Sequence, residues 1–269
     1  LEKRELKNLL TPKTKLVAVT HCSNILGTVN PIKEFAQIVH DAGALICVDG
    51  VAFAPHRIVD VKELDVDFYI FSWYKVYGPH LAMMYGKLAL LTQMKGINHY
   101  FFKNEDVPYK FQPGNYNFEL TYGLKGFLEY LEELHDHHRE EKKVPKAEKY
   151  KIAFDLMAKY EEEIAKPLLD FLNSLPEITI VGESSANSSL RVPTISFVHK
   201  NILSSKIVAE VDKEEIGIRF GDFYAKKLIH DLDLEKYGGV VRVSLVHYNT
   251  TEEVEKLIAV FKKIFSSRN

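Results

Sequence analysis

The chain has 269 residues, 46% of them apolar and 27% charged, enough to bury a core without disulfide or metal staples. With 35 basic against 37 acidic residues, bulk charge favours neither nucleic acid nor a membrane surface as a partner. Two cysteines, Cys22 and Cys47, are too few for a disulfide framework and fit a reducing, cytoplasmic compartment; no apolar run reaches the ~20 residues of a membrane span, and no signal peptide opens the chain. It starts at Leu1 inside a charged segment, which suggests a fragment or a processed form.

Residues 15–20 (KLVAVT) predict a first strand. A helix follows over 31–42, with Pro31 at its first position and Ile32, Phe35, Ala36 and Val39 at helical spacing; Gly43 stops it. Further strands are predicted at 44–48, 67–71 and 81–85. Strand, helix and strand at this spacing imply a parallel sheet with right-handed crossovers. Loop-rich stretches at 96–104 and 112–117 precede a helix over 118–134 and a charged segment over 135–151, read as a solvated helix or linker. Helical spacing returns at 153–175. Beyond it, β-rich runs at 178–181, 194–198 and 240–246 alternate with helix-like stretches at 204–211 and 223–230. Asn249 to Glu253 cap a final amphipathic helix through Phe265. This second part reads as an α+β unit with its own core.

In parallel α/β sheets ligands sit beyond the carboxyl ends of the strands. The first three strands end in Thr20-His21-Cys22-Ser23-Asn24, in Asp49, and in Ser72-Trp73-Tyr74-Lys75. With neighbouring strands about 4.8 Å apart, Asn24, Asp49 and Lys75 can share one small-ligand footprint. A lysine and an acid converging on a cleft fit pyridoxal phosphate (PLP): the lysine forms a Schiff base and the carboxylate keeps the pyridine nitrogen protonated. A turn-forming Asp and a surface Lys account for the same spacing.

The segments T-H-x-S-N-x-x-G-T, V-D-G-V-x-x-x-P-H, D-F-Y-x-F-S and K-x-Y-G-P, with R-V-S-L-V-H-Y-N-T near the end, resemble the class V aminotransferases, in particular their cysteine-desulfurase-like branch. F-Q-P-G-N-Y-N-F-E and I-R-F-G-D-F-Y-A resemble two further family segments. The resemblance implies the PLP-dependent transferase type I fold, α/β, with a mostly parallel sheet between helices and a smaller C-terminal α+β domain. It divides the chain into part of the large PLP-binding domain over 1–135, an interdomain helix or linker over 136–165 and the C-terminal domain over 166–269. It also implies a homodimer acting on a small amino acid, with no nucleic acid and no membrane partner. Carried over residue by residue, Lys75 matches the lysine that joins the cofactor. Asp49 matches the acid on the pyridine nitrogen, and Asn24 a residue near the cofactor hydroxyl and substrate carboxylate. Ser72 matches a phosphate contact, Tyr74 stands where the family has a His but offers a hydroxyl that can donate to phosphate, and Arg242 matches the arginine that grips the substrate α-carboxylate. No metal is implied.

The sequence departs from the family in four ways. About the N-terminal third of a family member is absent. Ala52 stands where a Gln is frequent. Tyr74 replaces a His before the lysine. Tyr224 and Asn115 replace the persulfide Cys and a phosphate-binding Thr. A phenol cannot accept sulfane sulfur, so elimination or transamination is expected over transfer to a protein persulfide. The competing reading is a catalytically incomplete relative that acts as a scaffold or dimer partner. His135-Asp136-His137-His138 reads as a solvated helix end, His21 as a local packing residue and Arg219 as a second anion contact.

Overall fold

Apolar side chains at alternate positions, rich in Val and Ile, extend three short segments, and charged amphipathic stretches between them coil into helices. The computed structural model describes residues 1–112 and 114–266. In chain order the elements are α1 (Lys3–Leu9), β1 (Leu16–Thr20), α2 (Ile32–Asp41), β2 (Leu45–Asp49), α3 (Val61–Leu64), β3 (Phe68–Ser72), β4 (Ala82–Gly86), α4 (Leu88–Gln93) and α5 (Phe118–His138). They continue with α6 (Lys146–Asn173), β5 (Ile178–Val181), β6 (Thr194–His199), α7 (Ser204–Asp212), β7 (Arg219–Gly221), α8 (Lys226–Asp231), β8 (Val240–Ser244) and α9 (Thr251–Ser266). Two compact units result: residues 1–21 with 30–154, and residues 22–29 with 155–269.

The first unit holds a four-stranded sheet in the order β1-β2-β3-β4. β1, β2 and β3 are parallel and β4 runs antiparallel beside β3. One face buries Ile46, Val48 and Tyr69 against Ile32, Phe35, Ala36 and Val39 of α2. The other face carries Leu16, Ala18, Cys47, Ile70 and Met84, and Leu16 (52%), Ile70 (36%) and Met84 (48%) are exposed. Asp67 is buried at the start of β3. Its carboxylate accepts from Ile46 N (2.8 Å) and bonds His40 Nε2 (2.9 Å) and Lys87 Nζ (3.1 Å). Burial opposes its charge, but these partners outweigh it and hold the carboxyl below its ordinary range.

The second unit holds an antiparallel sheet in the order β5-β6-β8-β7. Ile195, Phe197, Val241 and Val243 on one face pack with Leu168 and Leu172 of α6, Ile207 of α7 and Leu257 and Phe261 of α9. On the other face Val198 and Val240 meet Ile229 of α8 and Ile25 of the 22–29 loop. That loop is therefore part of the second unit's core, although it follows β1 in the chain.

Two local expectations change, and one segment left unassigned from the sequence folds. The 223–230 stretch is helical only from Lys226, because Phe223 (φ 49°) and Tyr224 (φ 64°) take left-handed backbone. The charged opening segment forms α1. His135 is buried rather than solvated and bonds Asp136 Oδ1 at 2.8 Å, while Lys149 reaches the same carboxylate at 2.7 Å across the α5–α6 hairpin.

Candidate active site

Parallel pairing brings the carboxyl ends of β1, β2 and β3 together in the first unit: Thr20 lies beside Asp49, and Asp49 beside Ile70. Asp49 is exposed. Its Oδ1 accepts from Val51 N at 2.9 Å, which tightens the turn after β2, and its Oδ2 makes no hydrogen bond among the described residues. The turn rests on a buried aromatic platform. His21 N donates to Asp49 O (2.8 Å) and Gly50 N to Ile70 O (2.8 Å). The His21 ring stacks on Phe53 at 3.5 Å and its Nδ1 bonds Tyr69 Oη at 2.8 Å. A Cβ on Gly50 would lie 2.1 Å from the Tyr69 ring, so only glycine permits this packing. Burial drops the His21 pKa to about 3, and the imidazole is neutral at physiological pH. Ala18, Thr20, Cys47, Asp49, Val51 and Ile70 line a depression of about 370 Å³. Burial, then the Asp49 charge, pushes the Cys47 thiol up, away from the reactive thiolate.

β3 ends at Ser72 and runs into a single 3₁₀ turn, Trp73–Lys75. Trp73 anchors the turn edge-on to Phe71 (4.9 Å) and Phe127 (5.7 Å), and its N donates to Leu81 O at 2.8 Å. The Tyr74 ring stacks on His80 at 5.1 Å. Lys75 is exposed, 5.9 Å from the Tyr74 ring centre, and makes neither ion pair nor hydrogen bond among the described residues. An unpaired amine and a half-free carboxylate thus stand at the same end of adjacent parallel strands.

In the second unit, the 22–29 loop carries Asn24. Arg191, only 2% exposed, holds the chain around it: its guanidinium donates to Thr194 O (2.6 Å), Val192 O (3.2 Å) and Glu183 O. Burial lowers its pKa to about 10, against the pull of Glu183 and Cys22. Val192 N donates to Gly27 O (2.9 Å) and Ser196 Oγ to Ile25 O (2.7 Å). Asn24 meets Arg242 here: Arg242 Nη1 donates to Asn24 O at 3.0 Å. Asn24 Nδ2 donates to Phe223 O at 2.9 Å, and the Arg242 guanidinium carbon lies 3.7 Å from the Phe223 ring centre. Arg242 Nε is buried without a hydrogen-bond partner. Arg219 stands directly opposite Arg242 in the β7–β8 register. Two cations opposite each other and an unpaired buried N–H are unfavourable unless an anion joins them. Arginine is suited to that anion through a planar bidentate fork. Tyr224 is fully exposed.

The chain matches the family described as Aminotransferase class-V over residues 1–153 and 146–257. It belongs to that family. Among its relatives, the aminotransferase-like protein FGM3 of Gibberella zeae is 42% identical over 98% of this chain and 62% of its own. The cysteine desulfurase-like protein ustD of Aspergillus flavus is 37% identical over 96% of this chain and 56% of its own. Among solved structures, the cysteine desulfurase CsdA of Escherichia coli superposes with a TM-score of 0.76 at 25% identity, over 98% of this chain and 62% of that one. The chain therefore spans less than two thirds of the length of these relatives. Its architecture is the α/β type I fold of PLP-dependent class V proteins. Sequence patterns alone did not single out Phe223, Arg191 or the Tyr69–Phe53 platform; the one visible signal was Gly221-Asp222, a turn signature ahead of two aromatics.

Proposed function

We propose that this chain works in a PLP-dependent enzyme acting on a small amino acid. The observation that supports it most is the placing of an unpartnered Lys75 amine and a half-free Asp49 carboxylate at the same end of adjacent parallel strands. The residues present fit the cofactor: an amine to hold it, an acid for its ring nitrogen, an apolar floor at Ala18 and Ile70, and hydroxyls at Ser72 and Tyr74 for its phosphate. Bound PLP supplies an electron sink for a substrate's Cα. Asp49 keeps the ring nitrogen protonated, and Lys75 Nζ takes and returns the Cα proton. Arg242 receives the α-carboxylate, its orphan Nε marking the place, while the Asn24 carbonyl holds Nη1 of that arginine. The working form is a homodimer.

Elimination or transamination fits this chain better than transfer of sulfur to a protein thiol. Cys22 is buried, with Sγ 3.3 Å from Gly27 O, and Cys47 has a raised pKa. Tyr224 occupies the exposed segment where the resemblance puts the persulfide Cys. A second reading, a scaffold or dimer partner, is favoured by one observation: the sheet face bearing Leu16, Ile70 and Met84 lies open. Titrating the purified chain with PLP separates the two. An absorbance band distinct from the free cofactor's, absent in Lys75→Ala, is expected of the enzyme; identical spectra for the two proteins would leave the scaffold.

A further inference from the structure

Three groups close a ring in the second unit: Asn24 Nδ2 to Phe223 O, the Phe223 ring to the Arg242 guanidinium, and Arg242 Nη1 back to Asn24 O. We infer that Phe223 is the positioning residue of the anion site, clamping the Arg242 guanidinium flat so that its Nε–Nη2 edge receives a carboxylate side-on. The inference rests on the carboxylate-binding reading of Arg242.

The geometry carries it in three steps. At 3.7 Å from the ring centre the guanidinium carbon lies over the Phe223 face, in cation–π contact. A planar cation held this way can turn only in its own plane. That rotation is stopped by Nη1 on the Asn24 carbonyl. What remains is the edge bearing Nε, which is buried and unpartnered, and Nη2, which makes no hydrogen bond among the described residues. A guanidinium edge with two parallel N–H donors matches the two oxygens of a carboxylate.

The backbone supports the same role. A bulky residue at φ 49° is a conformation that L side chains avoid, and here two follow in succession. Continued helix would carry the ring away from β8. The left-handed step is held by Asn24 Nδ2 on Phe223 O, by Tyr224 N on Asp222 Oδ1 (2.9 Å) and by Ala225 N on Asp222 O (2.8 Å). The aromatic at 223 thus acts on a face of the guanidinium and the Asn24 carbonyl on its Nη1.

Phenylglyoxal labelling of Arg242 in the 269-residue chain, read by mass spectrometry with and without acetate, tests the clamp without cofactor or turnover. Arg4, which is exposed, serves as the internal reference. Phe223→Leu keeps apolar volume and removes the ring. It should raise the Arg242 labelling rate and weaken acetate protection, each by about tenfold. Phe223→Tyr, which restores a ring, should return both to the wild-type values. A Phe223→Leu protein that labels like wild type, or a Phe223→Tyr protein that behaves like the leucine variant, overturns the clamp. Wild-type Arg242 unprotected by acetate overturns the carboxylate reading instead, and the labelling rates still decide for or against the clamp.

Discussion

At the scale of single residues, the neutral His21 has a consequence for stability. Its pKa is about 3 in the fold and near 6.5 in the unfolded chain, so between those values the unfolded state binds the extra proton. Stability therefore falls as pH drops below 6.5, with a slope approaching about 1.4 kcal/mol per pH unit from this group. Asp67 acts in a different window. Its carboxyl is held below 3.8, so its contribution is present above that value and is lost as pH falls through the lower, folded pKa. Denaturant melts of wild type and His21→Gln at pH 7, 5.5 and 4.5 isolate the histidine. The stability difference between the proteins should shrink as pH falls; parallel curves would mean that His21 is not the titrating group. That Asp49, Ser72 and Lys75 lie at or just beyond strand ends could be read from sequence because a parallel sheet sends its carboxyl ends one way; Asn24, four residues past β1, belongs to the second unit instead. The Tyr69–His21 bond and the Phe223–Arg242 stack could not, since each depends on side-chain directions fixed only after the strands pair.

At the scale of elements, hydrophobic spacing marked the four strands of the first sheet and helix α2, whose buried residues are the four that recur at helical intervals. It failed at 223–225, where the adjacent Phe223 and Tyr224 take a left-handed turn and the Phe223 ring is claimed by Arg242. It also missed β7, whose three residues Arg219–Gly221 are too few to show alternation. Glycines give the element-scale prediction. Gly27 (φ 67°) and Gly43 (φ 73°) share a left-handed backbone, but a Cβ on Gly27 would lie 2.2 Å from Thr194 O, whereas one on Gly43 meets nothing within 4 Å. Gly43→Ala should cost about 1–2 kcal/mol, the left-handed penalty alone. Gly27→Ala adds a clash with backbone held by Arg191 and should cost at least about 1–3 kcal/mol more, the usual range for overpacking. Equal shifts in thermal midpoint for the two variants would show that the Thr194 backbone yields.

At the scale of the whole molecule, residues 22–29 leave the first unit, join the second and return, and the chain crosses once more after residue 154. No single cut separates the two units. A fragment of residues 1–154 lacks β6 and Arg191, so its 22–29 loop has no carbonyl clamp and Ile25 no core. Thermolysin should cut that fragment at Leu26 much faster than it cuts the full chain; matching rates would show that the loop is ordered by the first unit. The same feature sets a timetable for biosynthesis. Ile25 is bonded to Ser196, 171 residues downstream. At translation rates of roughly 5–20 residues per second, the loop waits on the order of ten to thirty seconds for its partner strand to be made. During that interval the nascent first unit carries an unsatisfied apolar loop between β1 and α2. Holding that loop apart from neighbouring ribosomes' products is then a task for the cell's chaperones rather than for the fold, and the arrival of β6 is the moment at which this protein can first close its own chain.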